Sequence, residues 1–280
     1  MPNLDRLTRS RLPLTNSRAE SPIRIMRTGM PALDSVHSTS HFSSPKGTRI
    51  QVIHTSETDE YEKAHAAIAD VLKSAAPITT EAIRSAGKSH KAVSDTFAGS
   101  ARKAAKLSIA TGAVEPLGDV NAIVASLVPD DQMINHNPPI TTDPSSGRVD
   151  EEQRRVGLKG FLYACSREAD NDFHMIVGED PNSNVEVYMT MELSGLPDDP
   201  NSPAFPDLKA ARDAFKQYFG NNLPQATYDF YDPPIPLAIE ASLFFDMTHA
   251  TGQAPGPKSL KSRMPTIWEC HPVSKITFEP

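Results

Sequence analysis

Cysteine is scarce in this chain, with Cys165 and Cys270 alone among 280 residues. Both stand inside apolar, strand-like runs, where a free thiol behaves as a small hydrophobe. A disulfide-stapled scaffold is therefore excluded, and a reducing, cytoplasmic setting is expected. Long apolar runs are missing too. No stretch approaches the roughly 18 residues that cross a bilayer as a helix, and the N-terminus has no apolar signal-peptide core, so no membrane partner is expected. Aromatic residues are only 6% of the chain and apolar residues 38%, against 25 prolines. A chain so composed cannot bury all of itself, and disordered segments are expected beside its compact units.

Acidic residues are sparse at the front, where residues 1–53 hold eight Lys/Arg against Asp5, Glu20 and Asp34. Residues 151–280 reverse the balance, with eleven Lys/Arg against nineteen acids. Residues 1–50 carry five prolines and no sustained apolar period, which predicts a disordered basic tail. Its Arg- and Ser-rich, acid-poor composition also suits a transit peptide or a dedicated secretion signal. A short extended run follows at Arg49–His54.

Helical spacing begins at Glu57, with Tyr61, Ala64, Ile68, Val71 and Leu72 on one face and Pro77 as the stop. Thr79 or Thr80 caps a second helix ending near Gly87, a third runs from Ser89 to Thr111, and Asp119 caps a fourth through Val120, Ile123, Val124 and Leu127. Residues 55–128 thus read as a small helical unit. Between Pro77 and Gly112 the basic residues Arg84, Lys88, Lys91, Arg102, Lys103 and Lys106 outnumber Glu81 and Asp95. Residues 78–112 have the outline of a helix-turn-helix that offers Lys88, His90, Lys91 and Ser94 to a DNA groove. The outline departs from the motif, because Lys88 and Thr96 fall where apolar residues are expected. A solvated amphipathic helix pair is the plainer reading.

Residues 129–155 read as a linker, since Pro138-Pro139, Asp143-Pro-Ser-Ser-Gly and the charged run leave nothing to bury. Beyond it the period becomes two. Strands are predicted at 157–167, 173–178 and 185–193, an amphipathic helix at 207–219, and strands at 235–245 and 266–278. Five strands with a helix between the third and fourth are the plan of an OB-like β-barrel over residues 156–280; a five-stranded sheet with one helix across it is the rival. The fold class expected is α+β.

Acids and histidines gather at the strand ends of this segment. In an OB-like barrel the loop after the first strand holds Asp170 and Asp172, with His174 on the second strand. The loop 246–265 holds Asp246, His249, Lys258, Lys261 and Arg263, and the last strand holds Glu269 and His271. These ten are the candidate ligand-binding residues. A metal site would draw on His174, His249 and His271 with Asp172, Asp246 or Glu269. No pair matches a compact two-histidine motif, so structural roles are the plainer reading: turn acids at 170 and 172, loop ties at 246 and 249, satisfied buried polar groups at 269 and 271. No cofactor is required by the sequence, with a divalent metal as the alternative.

The runs Glu-Ala-Asp-Asn-Asp-Phe-His, Ser-Leu-Phe-Phe-Asp-Met-Thr-His and Trp-Glu-Cys-His-Pro-Val-Ser-Lys-Ile-Thr-Phe together resemble a group of uncharacterised bacterial proteins. That group pairs D-x-D-x-H and F-F-D-x-x-H segments with a terminal E-[LI]-H-P-V-x-x-I-x-F. The resemblance covers residues 157–280 and implies bacterial origin and the fold, with no activity; Cys270 stands where the group has Leu or Ile.

Glu186, Tyr188, Thr190 and Glu192 are expected on the outward face of the third strand, where they repel phosphates. The reading that follows is a non-catalytic binding protein that engages a protein or small-molecule ligand. DNA binding through the helical unit, and a metal-dependent hydrolase at the barrel mouth, are the two alternatives.

Overall fold

A computed structural model describes residues 29–59, 95–250 and 255–280. Among these residues, strands are β1 (Val36–Ser43), β2 (Arg49–Thr55), β3 (Val114–Gly118), β4 (Arg155–Arg167), β5 (Phe173–Gly178), β6 (Tyr188–Leu193), β7 (Asp229–Phe245) and β8 (Trp268–Phe278). Helices are α1 (Lys103–Lys106), α2 (Val120–Ser126), α3 (Asp130–Ile134) and α4 (Phe205–Phe219). The molecule is a mixed α+β structure on one eight-stranded sheet ordered β1-β2-β7-β8-β6-β5-β4-β3. An additional pairing of β7 with β4 closes β4, β5, β6, β8 and β7 into a ring. Neighbours in the ring are antiparallel except β6 and β8. Among the described residues no helix is long and apolar enough to cross a membrane.

Period-two sequence builds the ring because successive side chains leave a strand on opposite sides. Phe173, Met175 and Val177 of β5, Met189, Met191 and Leu193 of β6, and Trp268, Cys270 and Val273 of β8 join one core cluster. Helix α4 shares that cluster through Ala211, Phe215, Tyr218 and Phe219. Pro206 sits in its first turn, where its fixed φ suits a helix and its missing N–H costs nothing. Gly220 ends it at φ +54°. Phe215 stacks on Phe173 at 4.6 Å, and Tyr218 stacks on Phe278 at 4.1 Å. Each such buried ring contributes about 2–3 kcal/mol.

The predicted ring strands and α4 agree with the structure to within a few residues, the largest differences being β6 starting at Tyr188 and β7 at Asp229. The Asp119 cap is also present, its Oδ1 accepting from the Ala122 N–H at 2.8 Å.

Three expectations are corrected. The tail expected over 1–50 extends too far, because β1 and β2 form a hairpin and β2 pairs along β7 from Gln51↔Asp232 to His54↔Asp229. Backbone pairing holds β1 in place where its side chains are mostly exposed. The third helix expected over Ser89–Thr111 is reduced, among described residues, to the single turn α1. Tertiary ties override its helical spacing: Asp95 bonds Arg212 and Lys216, and Phe97 N–H donates to Leu196 C=O at 2.9 Å. The backbone of Phe97 lies where a Cβ on Gly195 would sit, at 2.5 Å. The linker expected over 129–155 instead buries Met133, Ile140 and Glu152. Its polar groups are buried because they are paired; the Arg148 guanidinium donates to the carbonyls of Ala105, Ser108, Leu243 and His271.

Lys88, His90, Lys91 and Ser94, with the first and second predicted helices beyond Asp59, lie outside the described residues.

Candidate metal centre

The alternation that sends apolar side chains of β5, β6 and β8 into the core sends a polar set to the other side. His174 pairs in register with Glu192 across β5 and β6, while Thr190 and Met191 lie beside Glu269 and Cys270 of β8. One residue further along, Glu192 meets His271. This side is not the outward, solvated face expected of the third strand. Tyr188 is 2% exposed, Thr190 0% and Glu192 3%, because residues 95–112 and the loop after β7 cross over it.

Two loops supply the remaining acids. The β4–β5 turn places Asn171 at φ +76°, a left-handed conformation that asparagine tolerates better than most residues. Asp170 Oδ1 accepts from the Asp172 N–H at 3.1 Å, and Asp172 Oδ1 accepts from the Gly195 N–H at 2.5 Å. After β7, Asp246 Oδ1 caps the turn Met247–His249 by accepting from the Thr248 N–H at 2.8 Å. The crossing segment adds one cation, Lys106, whose Nζ stands 3.9 Å from Glu192 and 4.0 Å from Asp170.

Three adjoining trios result: Glu168, His174 and Glu192; Asp172, Glu192 and His271; Asp246, His249 and Glu269. Within each, one nitrogen or oxygen per residue lies within 4.8 Å of the others. The three histidines thus serve three neighbouring trios instead of one point. His174 is held by Glu168, by Thr190 Oγ1 at 3.1 Å and by Tyr228 OH at 3.2 Å. His249 Nε2 is 3.7 Å from Asp246 Oδ2.

His271 is the informative member. Ser194 Oγ stands 3.1 Å from Lys106 C=O and 2.7 Å from His271 Nε2. His271 Nδ1 faces Glu192 Oε2 at 2.5 Å and Glu269 Oε2 at 3.7 Å, while Asp172 Oδ2 lies 3.5 Å from Nε2. None of these three carboxylate contacts has hydrogen-bond alignment: His271 Nδ1, Glu192 Oε2, Glu269 Oε2 and Asp172 Oδ2 are all buried without a hydrogen-bond partner. Burial and the charge of Lys106 lower the His271 pKa, against the attraction and close polar contact of Glu192.

The electrostatics show the same excess of negative charge. Burial, then the repulsion of Asp170 and Glu192, raises the Asp172 carboxyl well above its ordinary value. Glu269 rises likewise through burial, Glu192 and Asp246. Burial opposes charge on Lys106, yet Glu192, Asp170, Asp246 and Asp172 outweigh it and raise its pKa well above normal.

Of the ten candidate residues, Asp170, Asp172, His174, Asp246, His249, Glu269 and His271 are brought together. Lys258, Lys261 and Arg263 are not. Lys258 lines a separate cavity, Lys261 begins a short turn, and Arg263 Nε pairs with Glu186 at 3.1 Å. Sequence reasoning missed Lys106, placed on an amphipathic helix, and Glu192, placed in solvent. The period-two spacing of Glu192 with Thr190, against Glu269 with His271 on a parallel neighbour, is the signal that unites them. No family model, curated protein or solved structure matches the chain.

Proposed function

We propose that this chain is a metal-stabilised binding protein: an OB-like barrel, formed by the five-stranded ring, with a divalent cation on the outer side of β5, β6 and β8. The observation that carries the reading is the convergence of buried Asp172, Glu192 and Glu269 carboxylate oxygens on the His271 ring, none of them in an aligned hydrogen bond. A cation among Asp172, Glu192 and His271 satisfies these groups, since imidazole nitrogen and carboxylate oxygen suit zinc or manganese. Ligand atoms about 2.1 Å from one tetrahedral ion lie about 3.4 Å apart, so the trio, now within 4.8 Å, draws together by about an ångström while His271 Nδ1 and Glu192 Oε2, now 2.5 Å apart, separate. Asp246, His249 and Glu269 offer a second place of the same chemistry.

An ion here ties β5, β6, β8 and the β4–β5 turn together beneath the crossing segment. Asp172, Glu192, His271 and Glu269 are each no more than 3% exposed. The closed site therefore favours a stabilising ion, with recognition of a protein or small-molecule ligand left to the surface around it. Hydrolysis at the ion is the second reading and needs the crossing segment to open.

Metal analysis of the full-length protein after exhaustive dialysis tests the proposal. Near-stoichiometric zinc or manganese is expected, together with a lower Tm in chelator and loss of the ion in His271→Ala. A chain that carries no metal, and whose Tm does not rise with added zinc or manganese, would overturn it.

A further inference from the structure

Ser40, His54 and Asp229 stand in a row across three adjacent strands, β1, β2 and β7, and none of the three belongs to the polar trios. Ser40 Oγ is 2.8 Å from His54 Nε2, and His54 Nδ1 is 2.7 Å from Asp229 Oδ1. Strand register sets the row. His54 is the direct partner of Asp229 and of Ser38, and Ser40 lies two residues along on the same side as Ser38.

From this geometry we infer that Ser40, His54 and Asp229 form a nucleophile, base and orienting acid for acyl transfer from a small ester. The roles follow from donors and acceptors. A carboxylate only accepts, so Asp229 fixes the proton on His54 Nδ1 and leaves Nε2 to accept from the Ser40 hydroxyl. Burial follows the roles as well: the Asp229 side chain is 7% exposed, whereas that of His54 is 37% exposed and open to a substrate. Such a constellation is recognised by geometry, whatever its chain order.

Two further features suit a substrate. Strand β1 is the free edge of the described sheet, so it presents backbone N–H groups with no strand partner on its outer side. These are donors of the kind that stabilise a developing oxyanion. A polar cavity of about 230 Å³, lined by Ala32, Asp34, Ser35, Ser56, Glu57, Thr58 and Lys258, opens at the same end of the hairpin. Ser56 lies two residues beyond His54. That volume fits the acyl or alcohol part of a small polar ester.

In the reaction, Ser40 Oγ forms a bond to the ester carbonyl carbon while its proton passes to His54 Nε2. The carbon–oxygen bond to the alcohol breaks, and the departing oxygen takes that proton. Water then attacks the acyl-serine with His54 again as base, which releases the carboxylic acid and restores Ser40.

Full-length protein treated with a fluorophosphonate probe, followed by peptide mass spectrometry, tests the inference, with p-nitrophenyl acetate as the ester. A single adduct on Ser40 is expected, lost in Ser40→Ala, with at least about 100-fold slower labelling in His54→Ala. Both side chains lie on the partly exposed face of an edge hairpin, and circular dichroism verifies that the variants stay folded. Chelator separates this site from the metal centre, because labelling of Ser40 persists without metal. Folded protein that gives no adduct, or ester hydrolysis unchanged in Ser40→Ala, would overturn the assignment.

Discussion

The guanidinium of Arg102 and the carboxylate of Glu152 meet in a two-pronged pair, 2.7 Å on each side, with side chains only 2% and 0% exposed. Arg102 also lies over the Phe244 ring at 4.7 Å and donates to Phe245 C=O, while Glu152 accepts from the Phe245 N–H. The pair thereby pins the segment that crosses the polar cluster to the end of β7. Removing one partner leaves the other charge buried and uncompensated, at a cost of about 3–5 kcal/mol. Glu152→Gln and Arg102→Met are each expected to lower the free energy of unfolding, measured in urea, by that amount. The double variant is expected to lose less than the two together, and additive losses would show that the partners act independently.

A second anchor of the same segment responds to acid. Burial raises the Asp95 pKa, but its hydrogen bond to Lys216 and its attraction to Arg212 outweigh burial and leave it below the ordinary 3.8. The folded value lies under the unfolded one, so the contribution is complete above about pH 4 and is lost as pH falls through the folded pKa. Asp95→Asn is therefore expected to lower Tm at pH 7, with the difference from wild type shrinking as pH falls below 3.8. A Tm difference that stays constant over that fall in pH would refute the linkage.

The core side of the ring makes a simpler demand. Phe215 of α4 is fully buried against Phe173, Phe219 and Phe278. Phe215→Ala is expected to cost about 3–5 kcal/mol through lost transfer energy and the cavity left behind. Equilibrium unfolding measures it, and a loss below about 1 kcal/mol would mean that α4 collapses onto the gap.

Much of the ring was legible because Phe173, Met175 and Val177, or Met189, Met191 and Leu193, can satisfy a core only as strands. Pro206 and Gly220 mark the ends of α4 in the same direct way. What stayed hidden depends on contacts that no local pattern encodes. Strand β1 reads Val-His-Ser-Thr-Ser-His-Phe-Ser, which shows no apolar alternation, and it is held by backbone pairing to β2, by the Ser40–His54 contact and by Phe42 packing on Tyr218 and Phe219. Asp95, Phe97 and Arg102 look helical by spacing, yet each is claimed by a partner about fifty to a hundred and twenty residues away. Glu192 looked solvated because a polar side chain on an alternating strand normally is; only the segment bearing Lys106 buries it. The candidate site was therefore half visible: its acids and histidines could be named, but not the cation among them or the side of the sheet that they share.

That cation supplies the sharpest test of the centre. Lys106 is buried beside Glu192, Asp170, Asp172 and Asp246 and also lies 5.8 Å from the Phe244 ring. Its ammonium supplies one positive charge where the neighbouring carboxylates call for more. Lys106→Met keeps the length of the stem and removes the charge, so metal-free protein is expected to lose about 3–5 kcal/mol, as when any buried ion pair is broken. A divalent cation compensates the same carboxylates, and its affinity rises when a competing ammonium is gone. Added zinc or manganese is accordingly expected to raise Tm by more in Lys106→Met than in wild type. Equal shifts in the two proteins would place the ion away from Lys106 and its carboxylates.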